Sequence, residues 1–151
     1  MADAEQLYRD LDREARRLQR NLECCERSLV ACCGLTVAQA DALLVLHDRG
    51  PLTMNEFASE MRLHGTTMTR MTDALVAKHL ARRAEDGEDR RVVRVSLTER
   101  GEGTALDLQA SLRRFYATAL AGLPAEDRAV MLRLLASLSH AIEEIQGGCG
   151  S

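Results

Sequence analysis

The N-terminal segment carries apolar residues at alternating spacings of four and three, the heptad rhythm of helices that pack along a shared stripe. These positions are Ala4, Tyr8, Leu11, Ala15, Leu18, Leu22, Cys25, Leu29 and Cys32. The pattern predicts one long amphipathic helix. Because glycine ends helices without a steric penalty, we expect this helix to stop near Cys33-Gly34.

Two capping boxes mark the starts of the next two helices. In segments 36–39 and 53–56 a threonine is followed three residues later by Gln or Glu, which lets each side chain bond the backbone N–H of the other residue. A short break at 63–65 then leads into a fourth helix, from about Thr66 to His79, with Gly65 expected as its cap. Two short helices joined by a tight turn containing glycine form a helix-turn-helix.

The pattern then changes to strands and returns to helices. Segments 81–85 and 91–97 flank Asp86-Gly87, a hairpin turn signal, and the second segment alternates apolar and polar residues. A hairpin directly after a helix-turn-helix is a wing. Two further amphipathic helices begin near Thr98 and Pro124. The long terminal helices have more apolar surface than one small domain easily buries, which predicts a homodimer.

The sequence therefore predicts a mainly α chain with a small β-hairpin (α+β) in a winged helix-turn-helix arrangement. We interpret residues 1–151 as a single domain. Residues 35–98 form the expected DNA-binding lobe, and residues 1–34 and 99–147 form the expected dimerisation helices.

Composition and charge narrow the class of protein. No apolar run reaches the roughly 20 residues of a membrane span, and the acidic start 1–5 is unlike a signal peptide, so we expect a cytoplasmic protein without membrane contact. The net charge is -3, but residues 51–98 carry eight Lys/Arg against seven Asp/Glu, while the remainder carries twelve against sixteen. A locally basic surface on an acidic body suits specific DNA binding. We find no catalytic motif and predict that the chain is not an enzyme.

Four stretches together resemble the MarR family of bacterial transcriptional regulators. They are Leu35-Thr36-Val37-Ala38-Gln39, Thr67-Met68-Thr69-Arg70-Met71-Thr72-Asp73-Ala74-Leu75, Asp89-Arg90-Arg91 and Ser96-Leu97-Thr98-Glu99-Arg100-Gly101. The resemblance implies two helices, a short strand, two helices, a hairpin and two final helices. It also implies a dimeric regulator, by default a repressor, that binds palindromic double-stranded DNA.

The expected DNA contacts lie on the fourth helix and the wing. A helix in the major groove presents its N-terminal residues to base edges. There the threonines contact phosphates or thymine methyls, and Arg70 bonds guanine. The family's wing motif implies that Asp89 orients Arg91 in the minor groove and that Arg90 reaches phosphate. The predicted DNA-binding residues are Thr53, Thr66, Thr67, Thr69, Arg70, Asp89, Arg90 and Arg91. Alternatively, Arg70 pairs with Asp73, and Asp89 with Arg91 only stiffens the hairpin.

Four of the five cysteines form two adjacent pairs, Cys24-Cys25 and Cys32-Cys33. In one interpretation the cysteines are only structural: Cys25 and Cys32 lie on the apolar stripe of the heptad pattern, where cysteine packs as a small hydrophobic residue. The functional reading is a sensor for an oxidant or for a thiolate-bound Zn, As, Hg, Cu or iron–sulfur cluster. In one helix Cys25 and Cys32 stand roughly 10 Å apart. A shared site therefore needs either a helix break between Ser28 and Cys32 or a second chain. Cys149 is a further candidate, and the histidines show no ligand spacing with the cysteines.

Two alternatives remain open at this point. The effector is a small phenolic or lipophilic molecule, with cysteines that are only structural, or the winged helix is a protein-interaction module that binds no DNA.

Overall fold

The first helix is a single long element. The computed structural model describes residues 2–86, 89 and 91–148, and α1 spans Ala2–Ala31. Pairs one turn apart stabilise its polar face, such as Arg16 Nε with Asp12 Oδ1 at 2.9 Å. Gly34, with φ of 65°, follows a turn that ends the helix. The predicted long helix is confirmed, and it ends just before the second cysteine pair.

Both predicted capping boxes are present. Helix α2 spans Val37–Arg49 and is capped by Thr36, whose side chain accepts from Gln39 N while the Gln39 side chain accepts from Thr36 N. Helix α3 spans Met54–Glu60 and has the same reciprocal bonds between Thr53 and Glu56. These local patterns therefore fix where both helices begin.

Helix α4 spans Gly65–Ala77, and its start differs from the expectation. Gly65 is its first helical residue rather than its cap, so that prediction was wrong. The cap position is His64, whose side chain makes no capping hydrogen bond. Instead the His64 carbonyl already accepts the backbone N–H of Met68 at 2.9 Å, which closes the first helical turn.

Three strands form one antiparallel sheet. Strand β1 is Leu52–Thr53, β2 is Ala81–Glu85 and β3 is Val93–Leu97, in the order β1-β3-β2. Thr53 pairs with Arg94, and Ala84 pairs with the same residue from the other side. The predicted hairpin is confirmed, and β1 attaches it to the start of α3.

The last two helices are α5, Glu99–Ala119, and α6, Ala125–Gly148. Thr98 joins the wing to α5, because its hydroxyl donates to His79 O at 2.7 Å and accepts from Gly101 N at 3.0 Å. Gly101 is buried. A Cβ at this position would lie 1.9 Å from Leu80 O, so only glycine fits this approach of α5 to the segment between α4 and β2.

The core lies where α2, α3, α4 and the sheet meet. Phe57, Leu43, Met68, Leu75 and Val95 are fully buried there. The described residues form two compact units, one up to Leu112 and one from Arg113 onward, and the division falls within α5. Within the described residues, no helix combines the length and apolar character that a membrane crossing needs. The order of helices and strands matches the predicted winged helix-turn-helix.

Candidate nucleic-acid interface

Helix α4 has one buried face and one open face. Met68, Thr72 and Leu75 are buried, which anchors the helix against the core. The four residues predicted to contact DNA from this helix are all exposed: Thr66, Thr67, Thr69 and Arg70. The helix thus presents hydroxyl groups and one guanidinium on its first two turns, where a major-groove helix meets base edges.

The open face keeps its hydrogen-bonding capacity. Thr69 Oγ1 donates to Gly65 O at 2.9 Å, which leaves the hydroxyl oxygen as an acceptor. Arg70 has no acidic partner within the described part of the chain. Its five N–H donors are therefore available to an external acceptor.

Asp73, one turn after Arg70, forms an ion pair with a residue of the wing. Arg83 Nη1 on β2 donates to Asp73 Oδ1 at 2.7 Å. The alternative pairing of Arg70 with Asp73 is not formed. This contact also ties the wing to α4, which is the recognition helix of the predicted helix-turn-helix.

The base of the wing is held by a chain of charges. The guanidinium of Arg94 donates to the Asp86 carboxylate, and its Nη1 lies 3.6 Å from Glu56 Oε2 at the start of α3. Glu56 also accepts from Thr53 N at 2.8 Å. Hydrogen bonds from Thr53 hold the pKa of Glu56 below its usual value, and the charge of Arg94 adds to this effect. Thr53 itself is half-buried and caps α3, so its hydroxyl has a structural partner.

At the wing tip, Asp89 and Arg91 are both exposed. Asp89 Oδ1 accepts from the backbone N–H of Arg91 at 2.9 Å, so the contact orders the backbone of Arg91 and not its guanidinium. Arg90 lies outside the described residues. The roles of these residues on DNA stay predictions.

The described arginines between residues 82 and 94 fall into two groups. Arg83 and Arg94 form ion pairs, and Arg82 Nε donates to Ser96 Oγ at 3.2 Å. These three brace the sheet and its neighbours. The linear sequence could not separate them from Arg91, because their acidic or hydroxyl partners come from other elements.

The two cysteine pairs have different surroundings. Cys24 and Cys25 lie within α1, where adjacent side chains do not face each other. Cys32 and Cys33 lie in the turn after α1, and their Sγ atoms are 3.7 Å apart. Of the two alternatives for a shared site, the one in which a helix break folds one pair back onto the other is not formed, because α1 continues to Ala31. Within the described residues, no group of three or more Cys, His, Asp or Glu is arranged to hold a metal ion. Cys149 lies outside the described residues.

Cys32 and Cys33 line a cavity of about 540 Å³ with residues from the end of α4 and the start of α5. The polar members are Lys78, His79, Arg100, Thr104 and Asp107. Sequence reasoning missed this grouping, because His79 lies far from the cysteines along the chain. Burial, followed by hydrogen bonding with Cys32, raises the pKa of the Cys33 thiol, and the charge of Asp107 adds to this.

The cavity has a direct connection to the recognition helix. Lys78, the C-cap residue of α4, donates from Nζ to Gly34 O at 2.8 Å. His79, with φ of 59°, follows it in a left-handed conformation. The turn that contains Cys32 and Cys33 is therefore bonded to the C-cap residue of the helix that carries Arg70.

A second cavity, of about 500 Å³, is mostly apolar. It lies between α1, α2 and the first half of α5, and its apolar lining includes Leu29, Val37, Leu44, Leu108 and Leu112. This volume and lining match those of small-molecule sites in general.

Comparison with known proteins identifies the family of this chain. A family model described as MarR family matches residues 34–92. The HTH-type transcriptional repressor MdtR of Bacillus subtilis is 32% identical over 110 residues, which cover 73% of this chain and 71% of the relative. The chain belongs to the MarR family. This confirms the predicted resemblance, and the relatives' names as regulators confirm that the chain is not an enzyme.

Solved structures confirm the fold of this MarR-family chain. A MarR family protein from Bacillus stearothermophilus is 27% identical, with a TM-score of 0.83 over 92% of this chain and 97% of that one. FabT of Streptococcus pneumoniae, solved in complex with DNA, is 20% identical, with a TM-score of 0.82 over 91% and 99% of the two chains. At that identity the likeness to FabT concerns the fold alone. Because it belongs to the MarR family, the protein is a DNA-binding transcriptional regulator, and its fold is a winged helix-turn-helix.

Proposed function

We propose that this MarR-family regulator is a cytoplasmic homodimeric repressor that binds a palindromic operator in double-stranded DNA. The observation that carries the proposal is the open face of α4, where Arg70 and three threonines are exposed while the nearby Asp73 is neutralised by Arg83. An unpaired carboxylate there would repel phosphates. Its pairing leaves the face favourable to DNA.

The homodimer is supported by apolar residues left exposed on the terminal helices. On α1, Leu7, Tyr8, Leu11 and Leu18 are exposed, and on α6 the exposed set is Val130, Leu132, Leu134, Leu135, Leu138, Ile142 and Ile145. So many exposed large apolar side chains on a helix favour burial against a partner. A twofold dimer would present two copies of α4 to half-sites about one helical turn apart.

Within this proposal the residues have separate roles. Arg70 bonds a guanine edge, and Thr66, Thr67 and Thr69 contact phosphates or thymine methyls. Arg91 enters the minor groove with its backbone held by Asp89, and Arg90 contacts phosphate. Thr53 positions the start of α3 and offers its hydroxyl proton to the backbone of the DNA.

The test is selection of a binding sequence from random duplex DNA, followed by titration across a range of salt concentrations. Arg70→Ala should weaken the selected site by about 1–3 kcal/mol and relax the preference at one base pair. Arg20→Ala, on the exposed surface of α1, removes the same charge and serves as the control. If no sequence is enriched, or if both variants bind alike, the proposal fails and the protein-interaction module is favoured.

We also propose that thiols control this repressor. Cys24, Cys25, Cys32 and Cys33 carry no disulfide, and the last two have adjacent sulfurs in a cavity that is bonded to α4. A zinc ion or an iron–sulfur cluster normally needs four protein ligands, so either would draw on a second copy of the chain or on Cys149. Metal analysis and thiol titration of anaerobically purified protein separate the candidates.

The mostly apolar cavity favours a second effector class. A small lipophilic or phenolic molecule between α1, α2 and α5 would alter the position of α2, which packs on α4 through the core. The Cys24/Cys25/Cys32/Cys33→Ser protein distinguishes the two. Release of its operator by an organic ligand, with no response to thiol reagents, supports this alternative.

A further inference from the structure

The two cysteine dipeptides are chemically unlike despite being identical in sequence. In α1, Cys24 and Cys25 point in directions about 100° apart around the helix axis, and Ser28 Oγ bonds Cys24 O at 3.1 Å, one turn on. Cys32 and Cys33 follow the last helical residue, and their sulfurs approach to 3.7 Å. Only the second pair is arranged as a dithiol.

The sulfur separation fits one shared atom. With sulfur bonds of about 2.3 Å, a tetrahedral centre holds two sulfurs roughly 3.8 Å apart, and a pyramidal centre holds them somewhat closer. A linear centre with bonds of that length separates them by roughly 4.6 Å. The distance therefore matches a bent sulfur–centre–sulfur bridge, while a disulfide bond is only about 2.05 Å long.

The number of available ligands narrows the choice further. Within the described residues, the two thiols have no third or fourth ligand grouped with them. A structural zinc ion is left incomplete by two thiols. A trivalent arsenic atom that carries one carbon substituent is completed by them, since it forms three bonds and brings one of them itself.

We propose that Cys32 and Cys33 form a chelating site for monosubstituted trivalent arsenicals, and that its occupation releases the operator. The second half rests on the proposed repressor function. The cavity of about 540 Å³ leaves room for the organic substituent. The Lys78–Gly34 bond carries the change from the cysteine turn to the end of α4.

The reaction balances without an oxidant. Two sulfur–arsenic bonds form and two arsenic–hydroxide bonds break in the hydrated arsenical. The two thiol protons leave with the hydroxides as two molecules of water, and arsenic stays trivalent.

The binding test uses phenylarsine oxide and the full-length protein. Intact mass should show one phenylarsenic group per chain with the loss of two titratable thiols, reversed by a dithiol reagent and not by a monothiol. The matched variants are Cys32→Ser/Cys33→Ser and Cys24→Ser/Cys25→Ser. We expect the first to lose this adduct and the second to keep it. Cys32→Ser alone should lower the affinity about 100-fold or more, because the second bond then lacks its high effective concentration.

The regulatory effect is measured separately, as operator binding with and without phenylarsine oxide. The wild type and Cys24→Ser/Cys25→Ser should release DNA at one equivalent, and Cys32→Ser/Cys33→Ser should stay bound. An adduct that survives in Cys32→Ser/Cys33→Ser overturns the site. An adduct that leaves DNA binding intact overturns the regulatory half. If the untreated protein binds no operator DNA, the repressor function is overturned. The mass measurement still tests the chelating site in that case. Thermal melts verify that each variant is folded.

Discussion

Asp73 on the recognition helix accepts a hydrogen bond from Arg83 on the first wing strand, with Oδ1 and Nη1 2.7 Å apart. The two side chains belong to α4 and β2, the elements that are expected to enter neighbouring grooves of DNA. The pair sets the position of one reading element relative to the other. Arg83 also neutralises the negative charge of Asp73 on the surface that is expected to face phosphates.

A double-mutant cycle measures this pair. Because Arg83 and Asp73 are about one-third and more than one-half exposed, their coupling in unfolding free energy should be only about 0.2–1 kcal/mol and should decline as salt rises. Urea unfolding of Arg83→Ala, Asp73→Ala and the double variant at low and high salt gives the value. A coupling insensitive to salt would contradict a screened surface pair.

Gly101 is predicted to be the less replaceable of two glycines in α5. A Cβ at Gly101 meets Leu80 O at 1.9 Å, and nothing lies within 4 Å of a Cβ at Gly103. Gly101→Ala should cost about 2–3 kcal/mol of unfolding free energy through overpacking. Gly103→Ala should raise stability by up to about 1 kcal/mol, because alanine favours the helix. Equal effects of the two changes in urea unfolding would show that the close approach is relaxed at no cost.

Glu56 should make stability depend on acid pH. Its pKa is lowered in the folded protein, so its ionised form stabilises the fold above its unfolded pKa, and this contribution is lost as pH falls through the folded pKa. Glu56→Gln keeps a side-chain acceptor and cannot titrate. We expect the wild type to exceed this variant in stability at neutral pH and to lose its advantage below about pH 4. Melting temperatures of both proteins across this range test it, and a constant difference would argue against the assigned shift.

Cys33 should react as a thiol of raised pKa. With Cys24, Cys25 and Cys149 changed to serine, alkylation of Cys33 by iodoacetamide should need a higher pH than alkylation of a model cysteine peptide, because burial disfavours the thiolate. Adding Cys32→Ser should move the profile only part of the way back, since burial is the larger cause. Complete return to the model profile would assign the shift to Cys32 instead.

Local signals in the sequence were sufficient for most of the fold. The capping boxes at Thr36 and Thr53 each involve residues three positions apart, so the chain itself specifies them. The exposure of Thr66, Thr67, Thr69 and Arg70 follows from helical periodicity, because Met68, Thr72 and Leu75 take the buried side. The start of α4 was missed by one residue, since His64 gives no capping side chain that a pattern could reveal.

Contacts between distant segments could not be read in this way. Arg94 and Arg91 look alike in the sequence, and only the fold brings Asp86 and Glu56 to Arg94. The cavity at Cys32 and Cys33 likewise needs the end of α4 and the start of α5 to meet the turn after α1. Such groupings depend on tertiary packing, which spacing along one helix does not record.

The left-handed Gly34 has an evolutionary consequence. It ends the helical turn just past the second cysteine dipeptide, while the first dipeptide remains inside α1. The same dipeptide thus has diverging side chains on a helix in one place and converging sulfurs in the other. A lineage could gain or lose such a dithiol by moving a helix terminus through one turn, with every cysteine retained, so counting cysteines across relatives would not reveal which of them share the chemistry.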